Sequence, residues 1–301
     1  MAEFSNPRLP EDEINVSDRR PLRSFLALAG TTIAVTGAAA VALAFAGGEF
    51  AHLLPYRFEG SLIEPYAGRY PPREHAVEKY LQGLANRLAK GTTLPEGMSV
   101  RVHYVNEPVV NAFATLGGHV AVYRGLLERV PDENVLAMVV AHEIGHLKHR
   151  HPIRSLGRGI AFAAAVSVVS VGAGNRIAEN VLGPSGMLTL LTFSRAQEEQ
   201  SDDFALAALG ATYGHAGGAR ETFTLLQGAA RERGLSEPPK ILSTHPLTQE
   251  RSERLSARIA GGGFAPDGPR TPIPEEVRAA IAQDAKDVRK PAPVTREGRP
   301  G

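Results

Sequence analysis

The chain has 301 residues, a formal net charge of +1 and no cysteine. The near-neutral charge argues against general nucleic-acid binding, and the missing thiols exclude disulfide staples and Cys-ligated metal sites. The length suits one folded domain of roughly 200 residues with flanking segments, and no internal repeat suggests a solenoid.

Residues 1–21 are polar and read as a disordered N-terminus. Residues 22–46 are almost free of charge after Arg23, rich in Ala, Leu and Val, and long enough to span a bilayer. Arg8, Arg19, Arg20 and Arg23 flank this stretch on one side, while the next cation on the other is Arg57. The positive-inside rule therefore predicts a single-pass protein of a bacterial inner membrane, N-terminus in the cytoplasm and main domain in the periplasm. Ala44-Phe45-Ala46 resembles a signal-peptidase site, but the apolar stretch is long for a signal peptide, which favours a retained anchor.

The main domain is expected over residues 55–262. Arg73 to Ala89 carries apolar residues at helical spacing. Ser99 to Val105 alternates like a half-buried strand, and the Gly117-Gly118 turn leads into a second alternating run ending at Val122. Gly118, His119, Val120 and Ala121 are expected to form a free edge on which an extended peptide adds as a further strand.

Asp132 is a natural N-cap for the helix that follows, Lys148, His149 and Arg150 put positive charge in its last turn, and Pro152 is expected to stop it. Val135, Leu136, Met138, Val139, Val140, Ile144 and Leu147 give it a buried side. Within it stands Ala141-His142-Glu143-Ile144-Gly145-His146. His142 and His146, four residues apart, share one face and can grip one metal ion, with Glu143 placed to hold a water beside it.

The apolar run from Gly159 to Gly174 is short for a spanning helix and reads as a core helix or membrane-surface hairpin. Met187 to Phe193 is a further apolar patch. Ser194 and Gln197 resemble a capping box, with an earlier helix start after Pro184 as the alternative, and beyond them Glu198 and Asp202 share a helical face, with Glu199 and Asp203 on a solvated one. Ala219 to Glu232 reads as an amphipathic helix. His245 precedes Pro246, which suits the first position of a helix running to about Ile259. Residues 263–301 are rich in Gly, Pro and charge and are expected to be a flexible tail, with at most a short helix over Pro274–Lys286.

A catalytic zinc takes three protein ligands and keeps one open position. A third His six residues beyond His146 is ruled out, because Pro152 stands there. His149 lies on the ligand face but about 4.5 Å further along the axis, so His149 and His151 read as a basic helix end. The remaining candidate is Glu198, giving His142, His146 and Glu198 around one Zn²⁺ per chain. Asp202 can then accept the free ring N–H of a ligating His and set its tautomer. Glu143 would take a proton from the attacking water and pass it to the leaving amine.

His-Glu-x-x-His, then Ser194-Arg195-Ala196-Gln197-Glu198-Glu199-Gln200-Ser201-Asp202, then Thr244-His245-Pro246 resembles metallopeptidase family M48, the gluzincins related to HtpX, BepA and the CAAX prenyl proteases. The likeness extends upstream through Asn111 to Leu127 and downstream to Arg251, about residues 70–260 in all. Ser201 departs from the usual Ala, one small residue for another. The resemblance implies a mostly helical α+β zincin domain, with a small sheet whose edge strand precedes the metal helix, behind one N-terminal transmembrane helix. It implies a zinc-dependent endopeptidase acting on polypeptide substrates, with His142, His146 and Glu198 as ligands, Glu143 as base and His245 in the active site. His245 could donate to an oxyanion or bind the zinc in a resting state, and Tyr213 is a second candidate oxyanion donor. Envelope protein quality control is the expected setting. Two alternatives are a non-proteolytic zinc-containing chaperone, which would not need Glu143, and an intramembrane CAAX-type protease, which a single anchor does not suit. The residues leave the oligomeric state open.

Overall fold

The computed structural model describes residues 21–67, 75–90, 92–169, 192–231, 240–263 and 265–289. It is mostly helical, with a small three-stranded sheet. The first helix, α1 (Pro21–Ala51), outruns the expected apolar segment by five residues at its C-terminal end. By length and composition it could cross a membrane, and Leu22, Phe25, Leu28, Ile33 and Phe45 lie exposed along it. Its last turns lie against α6 (His151–Val169) through small residues. Gly47 and Gly157 face each other so closely that a Cβ on either would stand under 3 Å from the other's carbonyl oxygen.

The α2 helix (Arg57–Ala67) leads to α3 (Ala76–Ala89), which buries Val77, Leu81, Leu84 and Leu88. The sheet follows: β1 (Arg101–Val105), β2 (Ala112–Thr115) and β3 (His119–Tyr123), in the order β1-β3-β2. Strand β3 is central, parallel to β1 and antiparallel to β2, with every residue from His119 to Val122 paired on both sides. This corrects the expectation that Gly118–Ala121 form a free edge. The Gly117-Gly118 turn folds β3 back between its neighbours, and the edges fall to β1 and β2. Gly118 can make that turn because its φ of 78° and its contact with Ser99 O leave no room for a Cβ.

The short α4 (Arg124–Leu127) precedes α5 (Glu133–Lys148), which Asp132 caps by accepting the Val135 N–H at 2.9 Å. Every residue of α5 from Glu133 to Leu147 is buried. Sheet, α3, α7 (Arg195–Tyr213) and α8 (Ala219–Arg231) surround it. It is the central post of the domain, not an amphipathic surface helix. Pro152 does not end α5. The helix stops at Lys148, Arg150 turns left-handed at φ 56°, and α6 starts at once. The α6 helix covers the first part of the 159–174 apolar run. Residues 170–174 and the Met187–Leu191 part of the other patch lie outside the described residues.

Two expectations about the C-terminal part are also corrected. The helix expected from Pro246 to about Ile259 is present as α10 (Gln249–Gly261), but it starts only at the Thr248 cap, which accepts from the Arg251 N–H, and His245 instead caps the C-terminus of a short helix, α9 (Ile241–Thr244). The region beyond 263 is not a loose tail as far as Arg289. Its helix α11 (Glu275–Arg289) packs on α3, and Ile273 just before it, with Val277 and Ile281 on it, are buried at four-residue spacing. The Arg278 guanidinium donates to the carbonyls of Leu127, Val130 and Pro131, clamping the entry to α5. A three-residue stripe in a charged, Pro-rich setting is a weak sequence signal, but that narrow face is all a helix docking on a finished core needs.

Candidate active site

The site is built where α5 crosses α7. Gly145 on α5 faces Ser201 on α7, and a Cβ on Gly145 would lie 2.9 Å from Ser201 Cα. One small residue on each helix lets the backbones approach, so side chains one turn away on both helices meet. The capping box of Ser194 and Gln197 starts α7 just where Glu198 is needed.

Four buried side chains converge: His142, His146, Glu198 and His245, each offering one atom to a group lying within 4.8 Å of one another. His142 Nε2 is 3.0 Å from His146 Nε2 and 3.3 Å from Glu198 Oε2. Glu198 Oε1 is 3.4 Å from His146 Nε2 and 3.0 Å from His245 Nδ1. Glu143, one step round α5, sends Oε2 to the Ala114 N–H of β2 at 2.8 Å and Oε1 to within 3.5 Å of His245 Nε2. Among the described residues, Glu143 Oε1 and His245 Nε2 are buried polar atoms with no hydrogen-bond partner. Imidazole nitrogens and carboxylate oxygens turned toward one another at these distances form a donor set suited to a divalent cation of the zinc type.

Asp202 and Arg251 support the cluster. Asp202 Oδ1 lies 2.9 Å from His142 Nδ1. Arg251 grips Asp202 with two nitrogens, at 3.0 and 2.9 Å, while its Nη1 lies 2.7 Å from Glu198 Oε2 and donates to Pro246 O at 2.9 Å. One buried guanidinium therefore ties α7's carboxylates to the chain segment bearing His245.

Burial alone would raise both carboxylates, but it is outweighed. The His245 charge and bonds from His142, His146 and His245 hold Glu198 far down, and bonds from His142 and Arg251 hold Asp202 down, so both stay ionised. Burial would lower His142 too, yet Asp202 and Glu198 raise it to about 10. Burial, against the pull of Glu198 and with the His142 charge, pushes His146 well below the usual range. The field of this pocket favours positive charge at the convergence point and neutral imidazole beside it.

Several residues were not singled out by their sequence setting. Arg251 stands out in the sequence only as the end of the run that resembles the family. His151, read as part of a basic helix end, is fully buried behind His146. Phe193 stacks on the His146 ring at 3.9 Å between centroids. His149 does fit the helix-end reading, capping α5 on the far side of His151. Tyr213 is not at the site: its hydroxyl donates to Glu133 at the other end of α5. An apolar pocket lined by Met138, Val139, Phe223, Leu226 and Leu247 opens beside Glu143 and His245.

The model for peptidase family M48 matches residues 75–259. A beta-barrel assembly-enhancing protease of Yersinia pestis is 30% identical over 194 residues, which are 58% of this chain and 37% of that protein. The mitochondrial metalloendopeptidase OMA1 of Schizosaccharomyces pombe is 27% identical over 202 residues, 64% of this chain and 56% of that one. The metalloprotease YcaL of Escherichia coli is 29% identical over 210 residues, 67% of this chain and 75% of that one. The chain thus spans little more than a third of the Yersinia protein and about half of the yeast one.

Proposed function

The chain belongs to peptidase family M48, and from that premise we propose that it is a membrane-anchored zinc endopeptidase that cleaves misfolded or envelope polypeptides. The observation that carries this reading is the convergence of His142, His146 and Glu198 at one point, with the Glu143 carboxylate beside it. His142, His146 and Glu198 would hold one Zn²⁺, which when bound acidifies a water and polarises a carbonyl.

The chain's own residues would do the rest. Glu143 is positioned by the Ala114 N–H so that its free oxygen points into the site, where it accepts a proton and returns it to the departing amine. Asp202 holds the His142 ring through Nδ1, leaving Nε2 for the metal. His245 supplies the fourth atom of the cluster. In a resting state it would close the open position, and a swing of its ring would free that position and leave it to donate to the oxyanion.

Substrate would enter along β2. Ala114 sends its N–H away from β3 to Glu143, so Ala112, two residues earlier, shares that outward direction and can bond an added strand. The exposed apolar length of α1 supports a single-pass anchor. The arginines before it support a periplasmic catalytic domain in a bacterial inner membrane. The name of the Yersinia relative supports a role in envelope protein quality control.

The test is zinc content and casein cleavage by the full-length protein in detergent, beside Glu143→Gln and Glu198→Ala. We expect about one zinc per chain in the parent and in Glu143→Gln, with cleavage by the latter reduced about 10²- to 10⁴-fold. Glu198→Ala should lose the metal. Undiminished cleavage by Glu143→Gln would remove the mechanism, and retained zinc in Glu198→Ala would remove the ligand assignment.

A further inference from the structure

His146 presents Nε2 to the convergence point, so its second nitrogen, Nδ1, needs a partner that fixes the ring. For His142 that partner is the carboxylate of Asp202. For His146 it is another imidazole: His151 Nδ1 lies 3.0 Å from His146 Nδ1, and His151 Nε2 lies 3.0 Å from Gln200 Oε1. Both rings are fully buried. If His146 Nε2 gives its lone pair to a metal, its proton is on Nδ1 and is donated to His151 Nδ1. His151 then carries its own proton on Nε2 and donates it to the Gln200 amide oxygen. Each proton has one place in this chain, and each acceptor is filled.

Helical spacing alone would not bring His151 there. Five residues beyond His146, it would point well round from the ligand face of a continuous helix. The left-handed Arg150 ends α5 and folds the next residue back over His146. This conformation is unfavourable for a residue that carries a Cβ. It is held by Arg150 bonding to Glu59 Oε1 at 2.6 and 2.8 Å and to the carbonyls of His52 and Leu54 at 2.6 Å each. Glu59 is itself buried, and its other oxygen lies 3.5 Å from the Gly117 N–H. A strained residue held by a buried ion pair and two carbonyls, next to an imidazole aimed at a cluster residue, is a built arrangement.

We propose that His151 is a positioning residue that locks His146 in its metal-binding tautomer, with Gln200 completing the relay and the Arg150 turn setting its place. The two histidines of the motif are thus held by unlike partners, one by an ionised carboxylate and one by a neutral imidazole. The neutral partner adds no second negative charge beside Glu198.

This inference rests on the metal-site reading above, and the test separates the two. Zinc affinity of the full-length protein is measured by chelator competition for the parent, His151→Ala, His151→Gln and Gln200→Ala, with metal-free thermal melting for each. We expect His151→Ala to bind zinc about 10- to 100-fold more weakly. His151→Gln, which still offers an amide oxygen to His146, should recover most of that loss, and Gln200→Ala should lose a smaller factor of a few-fold. A purely packing role would lower the melting temperature and leave zinc affinity within twofold, which overturns the proposal. So does a His151→Gln variant as weak as His151→Ala. If His151→Ala fails to fold, the affinities of His151→Gln and Gln200→Ala decide: full parental affinity in Gln200→Ala, or a 10-fold or greater loss in His151→Gln, counts against it. A parent that binds no zinc removes the metal site itself, whereas a zinc-binding parent matched by His151→Ala removes only this relay.

Discussion

Gly145 of α5 stands directly against Ser201 of α7, with no space for even a methyl group between the two backbones. This contact sets the distance between the helix carrying two imidazoles and the helix carrying two carboxylates. Gly145→Ala gains helix propensity of about 1 kcal/mol, but the new Cβ would meet Ser201 backbone that cannot rotate away. We expect a net destabilisation of about 1–3 kcal/mol from the overpacking and weaker metal retention. Thermal melting and metal content of the purified variant check both.

Among the described residues, Arg251 is the one arginine or lysine paired with both Glu198 and Asp202. Its removal leaves two buried carboxylates short of positive charge, and breaking such a buried pair costs about 3–5 kcal/mol. Arg251→Met should therefore melt far below the parent. Arg251→Lys keeps the charge but not the fork that spans Asp202, Glu198 and Pro246 O, and should fall between the two. Equal melting of Arg251→Lys and the parent would show that charge alone suffices.

His103 and His119 face each other across β1 and β3, Nε2 to Nδ1 at 2.7 Å. Burial, then the charges of His103 and Arg101, push His119 down to about 4. Burial and Arg101, against Glu78, lower His103. Both should titrate near 6.5 when unfolded. Between pH 6.5 and 4 the unfolded chain therefore binds protons that the folded chain refuses, so stability falls as pH falls through that window. His119→Gln should flatten the drop in melting temperature between pH 7 and 5.

The C-terminal helix is structural. Ile273→Ala and Ile281→Ala each remove a buried side chain and should cost about 2–5 kcal/mol. Truncation after residue 264 should also free the carbonyls that Arg278 holds at the entry to α5. A truncated protein melting like the parent would contradict this.

Legibility in the sequence followed the range of the forces involved. The start of α5, the Asp132 cap, the Ser194–Gln197 capping box and the shared faces of His142 with His146 and Glu198 with Asp202 are all readable, because each is decided within one or two helical turns. The place of His245 was misread: Pro246 offered a good local helix start, but the chain stays irregular until Thr248, with Pro246 O accepting from Arg251.

By itself the sequence determined the chemistry available: two imidazoles and an acid on one helix, two acids on another, and a long apolar segment ahead of them. Only the tertiary structure decided how these are arranged. Strand order made β3 central and left β1 and β2 as the edges, since pairing partners are chosen by packing across distant segments. The fold turned Arg150 left-handed and set His151 behind His146, because a buried Glu59 from α2 could hold that turn. It also brought α11 onto the core. Local propensity ranks the conformations of a few residues, whereas those choices were made by buried contacts between segments far apart in the chain.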